Sequence, residues 1–115
     1  MRSLITTHVL DISRGRPAVG VHVSLDFHAG KASWSSIAEG VTNSDGRISD
    51  LLPENTKLTT GVYRLTFDTA SYFHHNDIEC FYPSIIVVFQ IKDPTAHHHV
   101  PVLLSPYGYS TYRGS

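Results

Sequence analysis

The sequence predicts an all-β protein: a Greek-key β-sandwich with one short helix. Short segments in which apolar and polar residues alternate recur along the 115 residues, and turn signals separate them. Helical periodicity is confined to one segment, residues 69–77. The length suits one domain with its own core, so we expect residues 1–115 to form a single unit.

Eight short strands are expected in this sandwich. The clearest are residues 4–10, 19–25, 33–41, 61–68, 84–91, 97–105 and 109–113. Residues 43–46, Asn-Ser-Asp-Gly, form a strong turn because Asp and Gly tolerate the positive φ of tight turns, and Arg47 follows directly. The helix is expected to take Thr69 or Ser71 as its N-cap.

Composition argues against two classes of partner. The formal net charge of −1 gives no basic surface for nucleic acid and no polybasic segment for a membrane. Cys80 is the single cysteine, so no intrachain disulfide forms and nothing indicates an oxidising compartment. The longest apolar run, residues 85–89, is too short to span a bilayer, and the first residues lack the apolar run of a signal peptide. We therefore expect a cytoplasmic protein, or a periplasmic one if a leader has been removed.

Histidine is the unusual residue, with eight copies in the chain. Its side chain titrates near neutral pH and serves both proton transfer and metal binding. Strand alternation places His97 and His99 on one face and turns His98 toward the core or its edge. If Val9 faces the core, His8 points to the opposite face. His8, His97 and His99 therefore point away from the core, where a histidine is either solvated or part of a site.

The remaining histidines are interpreted as surface residues: His22, His28, His74 and His75. His74 and His75 fall at the end of the helix, where a positive charge interacts favourably with the helix dipole. A zinc site is the alternative interpretation of the histidine cluster. Three adjacent strand residues cannot converge on one ion, so such a site requires His8 together with His97 and His99.

The last four residues, Tyr112-Arg113-Gly114-Ser115, are the most specific motif. Further motifs lie upstream in the order His8-Val9-Leu10-Asp11, Gly15-Arg16-Pro17-Ala18, Thr42-Asn43-Ser44-Asp45-Gly46-Arg47, and Leu-Leu-Ser-Pro-Tyr-Gly-Tyr-Ser-Thr over 103–111. With these motifs, nearly the whole chain resembles the 5-hydroxyisourate hydrolases, a transthyretin-like family.

The resemblance implies a transthyretin-like sandwich of two four-stranded sheets, and a homotetramer whose active sites lie at the dimer–dimer interface. The implied reaction is the hydrolysis of 5-hydroxyisourate to 2-oxo-4-hydroxy-4-carboxy-5-ureidoimidazoline, a step in the degradation of urate to allantoin. No cofactor and no metal are implied. The implied partners are the small-molecule substrate and other copies of the chain.

The resemblance also assigns roles to particular residues. The implied catalytic residues are His8, Arg47 and His99, and the implied substrate-binding residues are His8, Arg47, His97, Tyr112 and Ser115. Arg47 offers a planar, permanently charged fork of donors for carbonyl or enolate-like oxygens. Transthyretin hormone carriers have a lysine in place of His8 and an acidic residue in place of Arg47, so this chain resembles the hydrolases at both positions.

The expected mechanism is hydrolytic and involves no covalent intermediate. One histidine, His8 or His99, takes a proton from water, the water attacks the ring carbonyl, and Arg47 stabilises the charge that develops on oxygen. The residues leave open which histidine is the base. Two other functions stay as alternatives: a non-enzymatic transthyretin-like carrier of a small ligand, and an immunoglobulin-like interaction module, although the chain lacks the cysteine pair of true immunoglobulin domains.

Overall fold

Two β-sheets face each other in the computed structural model, which describes residues 3–30 and 32–115. The elements in chain order are β1 (Ile5–Asp11), β2 (Arg16–Pro17), β3 (His22–His28), β4 (Trp34–Val41), β5 (Arg47–Ile48), β6 (Gly61–Phe67), α1 (Thr69–His75), β7 (Ile85–Ile91), β8 (His98–Ser105) and β9 (Gly108–Thr111). The first sheet has the order β2-β1-β8-β9, with β5 also paired to β1, and the second has the order β4-β3-β6-β7.

The two sheets enclose one apolar core. Its most deeply buried members, each at most 1% exposed, include Ile5, Val9, Val23, Leu25, Leu65, Phe67, Phe73, Ile85, Ile91 and Val102. They alternate along the strands with more exposed residues, as expected where one face of each sheet is buried. The predicted all-β sandwich with one short helix is confirmed.

The first sheet contains five strands where four were expected. The difference comes from β2 and β5, which have two residues each. One edge of β1 pairs with β8. The other edge pairs with two short strands in succession: β2 pairs with residues 10–11 and β5 with residues 7–8. The sheet is therefore four strands wide, as the resemblance implied.

Two predictions of where elements begin need correction. The strand expected at 19–25 begins only at His22, because Gly20 has a φ of 84° and its N–H donates to the carbonyl of Thr42 instead of a strand partner. The helix is capped by Asp68 and by neither Thr69 nor Ser71: the Asp68 carboxylate accepts from the N–H of Ser71 at 3.1 Å. The Thr69 hydroxyl donates to the carbonyl of Tyr82.

The helix is short and packs against the core through Tyr72 and Phe73. It ends at His75, earlier than the expected residue 77, and His74 and His75 lie in its last turn as predicted. Within the described ranges no helix is long and apolar enough to cross a membrane.

The pairing of β1 with β8 positions the candidate site. These strands run parallel, with Thr6 opposite His99 and His8 opposite Pro101. On its other edge β1 pairs with β5, where His8 lies opposite Arg47. Residues from the beginning, middle and end of the chain therefore meet on one short stretch of sheet.

Candidate active site

A cleft of about 140 Å³ opens where β1, β5 and the start of β8 meet. It is lined by Thr6, Thr7, Arg47, Ile48, Ser49, His97, His99 and Ser115. Imidazole, guanidinium and hydroxyl groups thus surround one small space, and these are groups that move protons and stabilise negative charge.

The two cleft histidines are joined through one hydroxyl. Thr6 Oγ1 lies 2.8 Å from His97 Nε2 and 2.7 Å from His99 Nδ1. The two rings are nearly parallel, with their centroids 6.1 Å apart and an angle of 20° between their planes. Thr6 is only 4% exposed, so protein groups and not bulk water surround this hydroxyl.

Arg47 is held at the cleft by the turn that precedes it. The side-chain oxygen of Asn43 accepts from the backbone N–H of Asp45 at 2.9 Å and of Arg47 at 3.0 Å. Gly46 turns the chain with a φ of 74°, and its carbonyl accepts from the N–H of Val9 at 2.7 Å. The backbone of Arg47 is therefore fixed against β1, as the Asn-Ser-Asp-Gly motif predicted.

His8 lies beside the cleft instead of lining it. It is half-buried and faces Arg47 across the β1–β5 pair. Burial, followed by the positive charge of Arg47, lowers the pKa of His8, while the backbone and charge of Asp45 act in the opposite direction. The lowered pKa favours the neutral form of this imidazole.

The C-terminal segment reaches the cleft by crossing His99. The N–H of Gly114 donates to the carbonyl of His99 at 2.8 Å, which forms an isolated bridge after the end of β9. This contact brings Ser115 to the cleft.

Tyr112 lines a second cavity of about 140 Å³, between the edges of the two sheets. Its neighbours there include Val87 and Phe89 from β7 and the buried ring of His98, whose Nδ1 has no hydrogen-bond partner. Because β9 ends at Thr111, strand alternation no longer fixes the direction of Tyr112. His98 is turned inward, as alternation predicted, and is 6% exposed.

Four of the residues named from the sequence share the cleft: Arg47, His97, His99 and Ser115. His8 is adjacent to this group, and Tyr112 lies apart from it within a single chain. Thr6 was missed, although a signal was available: it stands two residues before His8, on the same face of the same strand.

The zinc alternative has no supporting geometry in residues 3–30 and 32–115. Within those ranges no group of three or more His, Cys, Asp or Glu side chains is arranged so that it could hold a metal ion.

Comparison with known proteins identifies the family. The model of the HIUase/Transthyretin family matches residues 5–114, and the chain belongs to this family. A Caenorhabditis elegans protein named as a probable 5-hydroxyisourate hydrolase is 47% identical over 111 residues, which are 96% of this chain and 81% of the relative.

Two solved structures illustrate both branches of the family. The 5-hydroxyisourate hydrolase of Klebsiella pneumoniae superposes with a TM-score of 0.83 at 40% identity, covering 96% of this chain and 98% of that one. Sea bream transthyretin in complex with thyroxine gives a TM-score of 0.89 at 32% identity, covering 97% of this chain and 95% of that one. The fold is thus common to both branches, and the side chains in the cleft have to distinguish them.

Proposed function

We propose that this protein hydrolyses 5-hydroxyisourate to 2-oxo-4-hydroxy-4-carboxy-5-ureidoimidazoline in the degradation of urate. The observation that carries the proposal is the cleft in which the linked imidazoles of His97 and His99 meet the guanidinium of Arg47. The sequence similarity to proteins named as 5-hydroxyisourate hydrolases supplies the substrate.

In the proposed reaction His99 is the general base. Its ring takes a proton from a water molecule, and the water oxygen forms a bond to the carbonyl carbon of the substrate ring. Arg47 stabilises the negative charge on the former carbonyl oxygen. The C–N bond then breaks, and the imidazolium of His99 donates its proton to the departing nitrogen. His99 is thereby a neutral imidazole again at the end of the reaction.

The other family residues serve binding in this proposal. His97 and Ser115 contact the substrate from within the cleft, and His8, its neutral form favoured beside Arg47, offers a further hydrogen-bonding and proton-transfer group at its border. Tyr112 binds the flat ring through its own ring and hydroxyl once the assembly is complete.

We further propose that the working form is a homotetramer with its active sites at the dimer–dimer interface. A cleft of about 140 Å³ is small beside the roughly 300–1,000 Å³ of typical ligand pockets, so a second copy that covers it would enlarge and enclose the site. The end strands β7 and β9 border one cavity and expose Ile86, Val88 and Tyr109. Exposed apolar residues on such edges favour pairing with another chain.

The decisive experiment is the ultraviolet decay of freshly generated urate oxidase product. The proposal expects the signal to decay much faster with the protein than in buffer. Decay at the buffer rate, combined with saturable binding of a small aromatic ligand, would overturn the proposal in favour of the carrier function.

Two matched variants test the assignment of the base. His99→Asn should lower kcat by about 10²–10⁴-fold, the usual value of a positioned acid–base group. His97→Asn should mainly raise KM or cost a smaller fraction of kcat. The reverse ranking, with activity kept in His99→Asn and lost in His97→Asn, would show that His97 is the base.

The assembly is tested by analytical ultracentrifugation of two charged variants. Val88→Lys places a charge on β7 and should give species smaller than a tetramer, with loss of turnover. Ile37→Lys is the matched control, because Ile37 is an exposed β-branched residue on β4, the opposite end strand of the same sheet. A wild-type monomer with full activity would overturn the tetramer proposal.

A further inference from the structure

We propose that Thr6 is a positioning residue that determines which ring nitrogen of His99 carries the proton. The hydroxyl of Thr6 is within hydrogen-bonding distance of both His99 Nδ1, at 2.7 Å, and His97 Nε2, at 2.8 Å. The consequence for catalysis rests on the proposed hydrolase function, whereas the tautomer itself is a property of the free protein.

A hydroxyl has one proton and two acceptor lone pairs, so Thr6 can donate to only one of the two imidazoles, and two arrangements use that proton between the rings. In the first arrangement Nδ1–H of His99 donates to Thr6, and Thr6 donates to Nε2 of His97. In the second, Nε2–H of His97 donates to Thr6, and Thr6 donates to Nδ1 of His99. For neutral rings, the two arrangements therefore fix the opposite tautomer on each histidine.

The first arrangement makes His99 competent as a base. Its proton is on Nδ1, so the lone pair that remains to accept a proton is on Nε2. When Nε2 takes up a proton, the ring becomes an imidazolium whose Nδ1–H still donates to Thr6, and no bond has to be broken. In the second arrangement the lone pair of His99 is on Nδ1 and is already used by Thr6.

This scheme gives His97 a defined part. By accepting the proton of Thr6 at Nε2, it prevents the hydroxyl from donating to His99, and its own proton is then on Nδ1. Protonation of His97 at Nε2 prevents it from accepting the proton of Thr6 and allows Thr6 to donate that proton to Nδ1 of His99. The two histidines are thus coupled through Thr6, without a direct bond between the rings.

The neighbouring residue shows that position, and not residue type, creates this arrangement. Thr7 also lies on β1, but its buried hydroxyl donates to the backbone carbonyl of Val100 at 2.6 Å and not to a histidine. Thr6 instead lies opposite His99 in the parallel register of β1 and β8. The branched Cβ of Thr6 also restricts its χ1, which helps to hold the hydroxyl between the two rings.

The first test is nitrogen-15 NMR of the histidine rings in the free wild-type protein at a pH where they are neutral. The proposal expects the resonances of His99 to show a protonated Nδ1 and an unprotonated Nε2, with the opposite pattern for His97. Protonation of neutral His99 at Nε2 would overturn the proposal. Because no substrate is needed, this result is independent of whether the hydrolase function holds.

The second test compares Thr6→Val with Thr6→Ser. Valine keeps the shape and removes the hydroxyl. It should change the tautomer ratio of His99 and lower kcat about 10- to 100-fold, the loss typical when a group that orients a histidine by hydrogen bonding is removed, with little change in KM. Serine keeps the hydroxyl and should restore the tautomer and most of kcat.

Thr69→Val is the matched control, because Thr69 is also buried and its hydroxyl is also hydrogen-bonded, in this case to the carbonyl of Tyr82 away from the cleft. It should lower stability and leave kcat and the histidine resonances unchanged. A Thr6→Val protein with wild-type resonances overturns the proposal outright. Changed resonances with wild-type kcat would leave the tautomer assignment standing and remove its role in catalysis.

Discussion

Gly114 lies directly against the imidazole of His99. A Cβ atom at residue 114 would stand 2.6 Å from Cδ2 of the His99 ring, closer than real Cβ contacts allow, and 3.2 Å from Cγ of Pro101. The backbone N–H of Gly114 meanwhile donates to the carbonyl of His99 at 2.8 Å. The C-terminal motif therefore contains glycine because the backbone of the tail passes across the face of a cleft residue.

Gly114→Ala should displace either the ring of His99 or the tail that carries Ser115. Because a misplacement of about 1 Å can cost about 10²-fold in rate, we expect kcat/KM to fall by about one to two orders of magnitude. The decay assay measures this loss. Gly108→Ala is the matched control, since a Cβ there would meet only Ser105 Oγ at 3.7 Å, and it should retain near wild-type activity.

His8 should titrate below the ordinary histidine pKa of about 6.5. Burial and the charge of Arg47 lower its pKa, so Arg47→Gln should raise the midpoint and Asp45→Asn should lower it further. Histidine carbon-bound proton shifts recorded against pH measure all three midpoints. A wild-type midpoint at or above 6.5, or a change in the opposite direction in either variant, would contradict this account.

The lowered pKa of His8 also predicts how the stability of the fold depends on pH. The pKa of His8 is lower in the folded than in the unfolded chain, so the unfolded chain binds the proton more readily. The contribution of His8 to the free energy of unfolding is therefore fully present above about pH 6.5 and is lost as the pH falls through the folded pKa. Urea titrations of the wild type and His8→Gln should diverge in this acidic range.

Gly46→Ala should destabilise the fold and displace Arg47. The residue has a φ of 74°, and an added Cβ would overlap the carbonyl oxygen of Val9. Gly15→Ala separates these two effects, because Gly15 has a φ of 65° and open space around it. The Gly15 variant should lose about 1–2 kcal/mol in urea unfolding, the cost of the left-handed backbone alone. A Gly46 variant that loses no more than this would show that the contact with Val9 is easily relieved.

Tyr72→Phe should lower stability without affecting turnover. The Tyr72 hydroxyl donates to Oδ2 of Asp11 at 2.6 Å, and Asp11 is fully buried. Burial, together with this carboxylate, raises the pKa of Tyr72 to about 12. Loss of the hydroxyl leaves a buried carboxylate oxygen without this donor, which should cost about 1–3 kcal/mol in urea unfolding. Loss of kcat in a folded Tyr72→Phe protein would indicate coupling between the helix and the cleft.

The sequence predicted those features that depend on local pattern. Period-two alternation located the strands and correctly turned His98 inward, and the Asn-Ser-Asp-Gly motif placed the turn before Arg47. Alternation could not predict the direction of Tyr112, because that residue follows the end of β9. The link between Thr6 and His99 depends on the register of a parallel strand pair formed by residues 93 positions apart, which no local pattern specifies.

The parallel pairing of β1 with β8 also has a consequence for biosynthesis. Thr6 leaves the ribosome 91 and 93 residues ahead of its partners His97 and His99. Ribosomes add about 5–20 residues per second, so several seconds pass between the synthesis of β1 and that of its partner strand β8. We expect the cleft to be complete only after residue 115 has emerged from the ribosome.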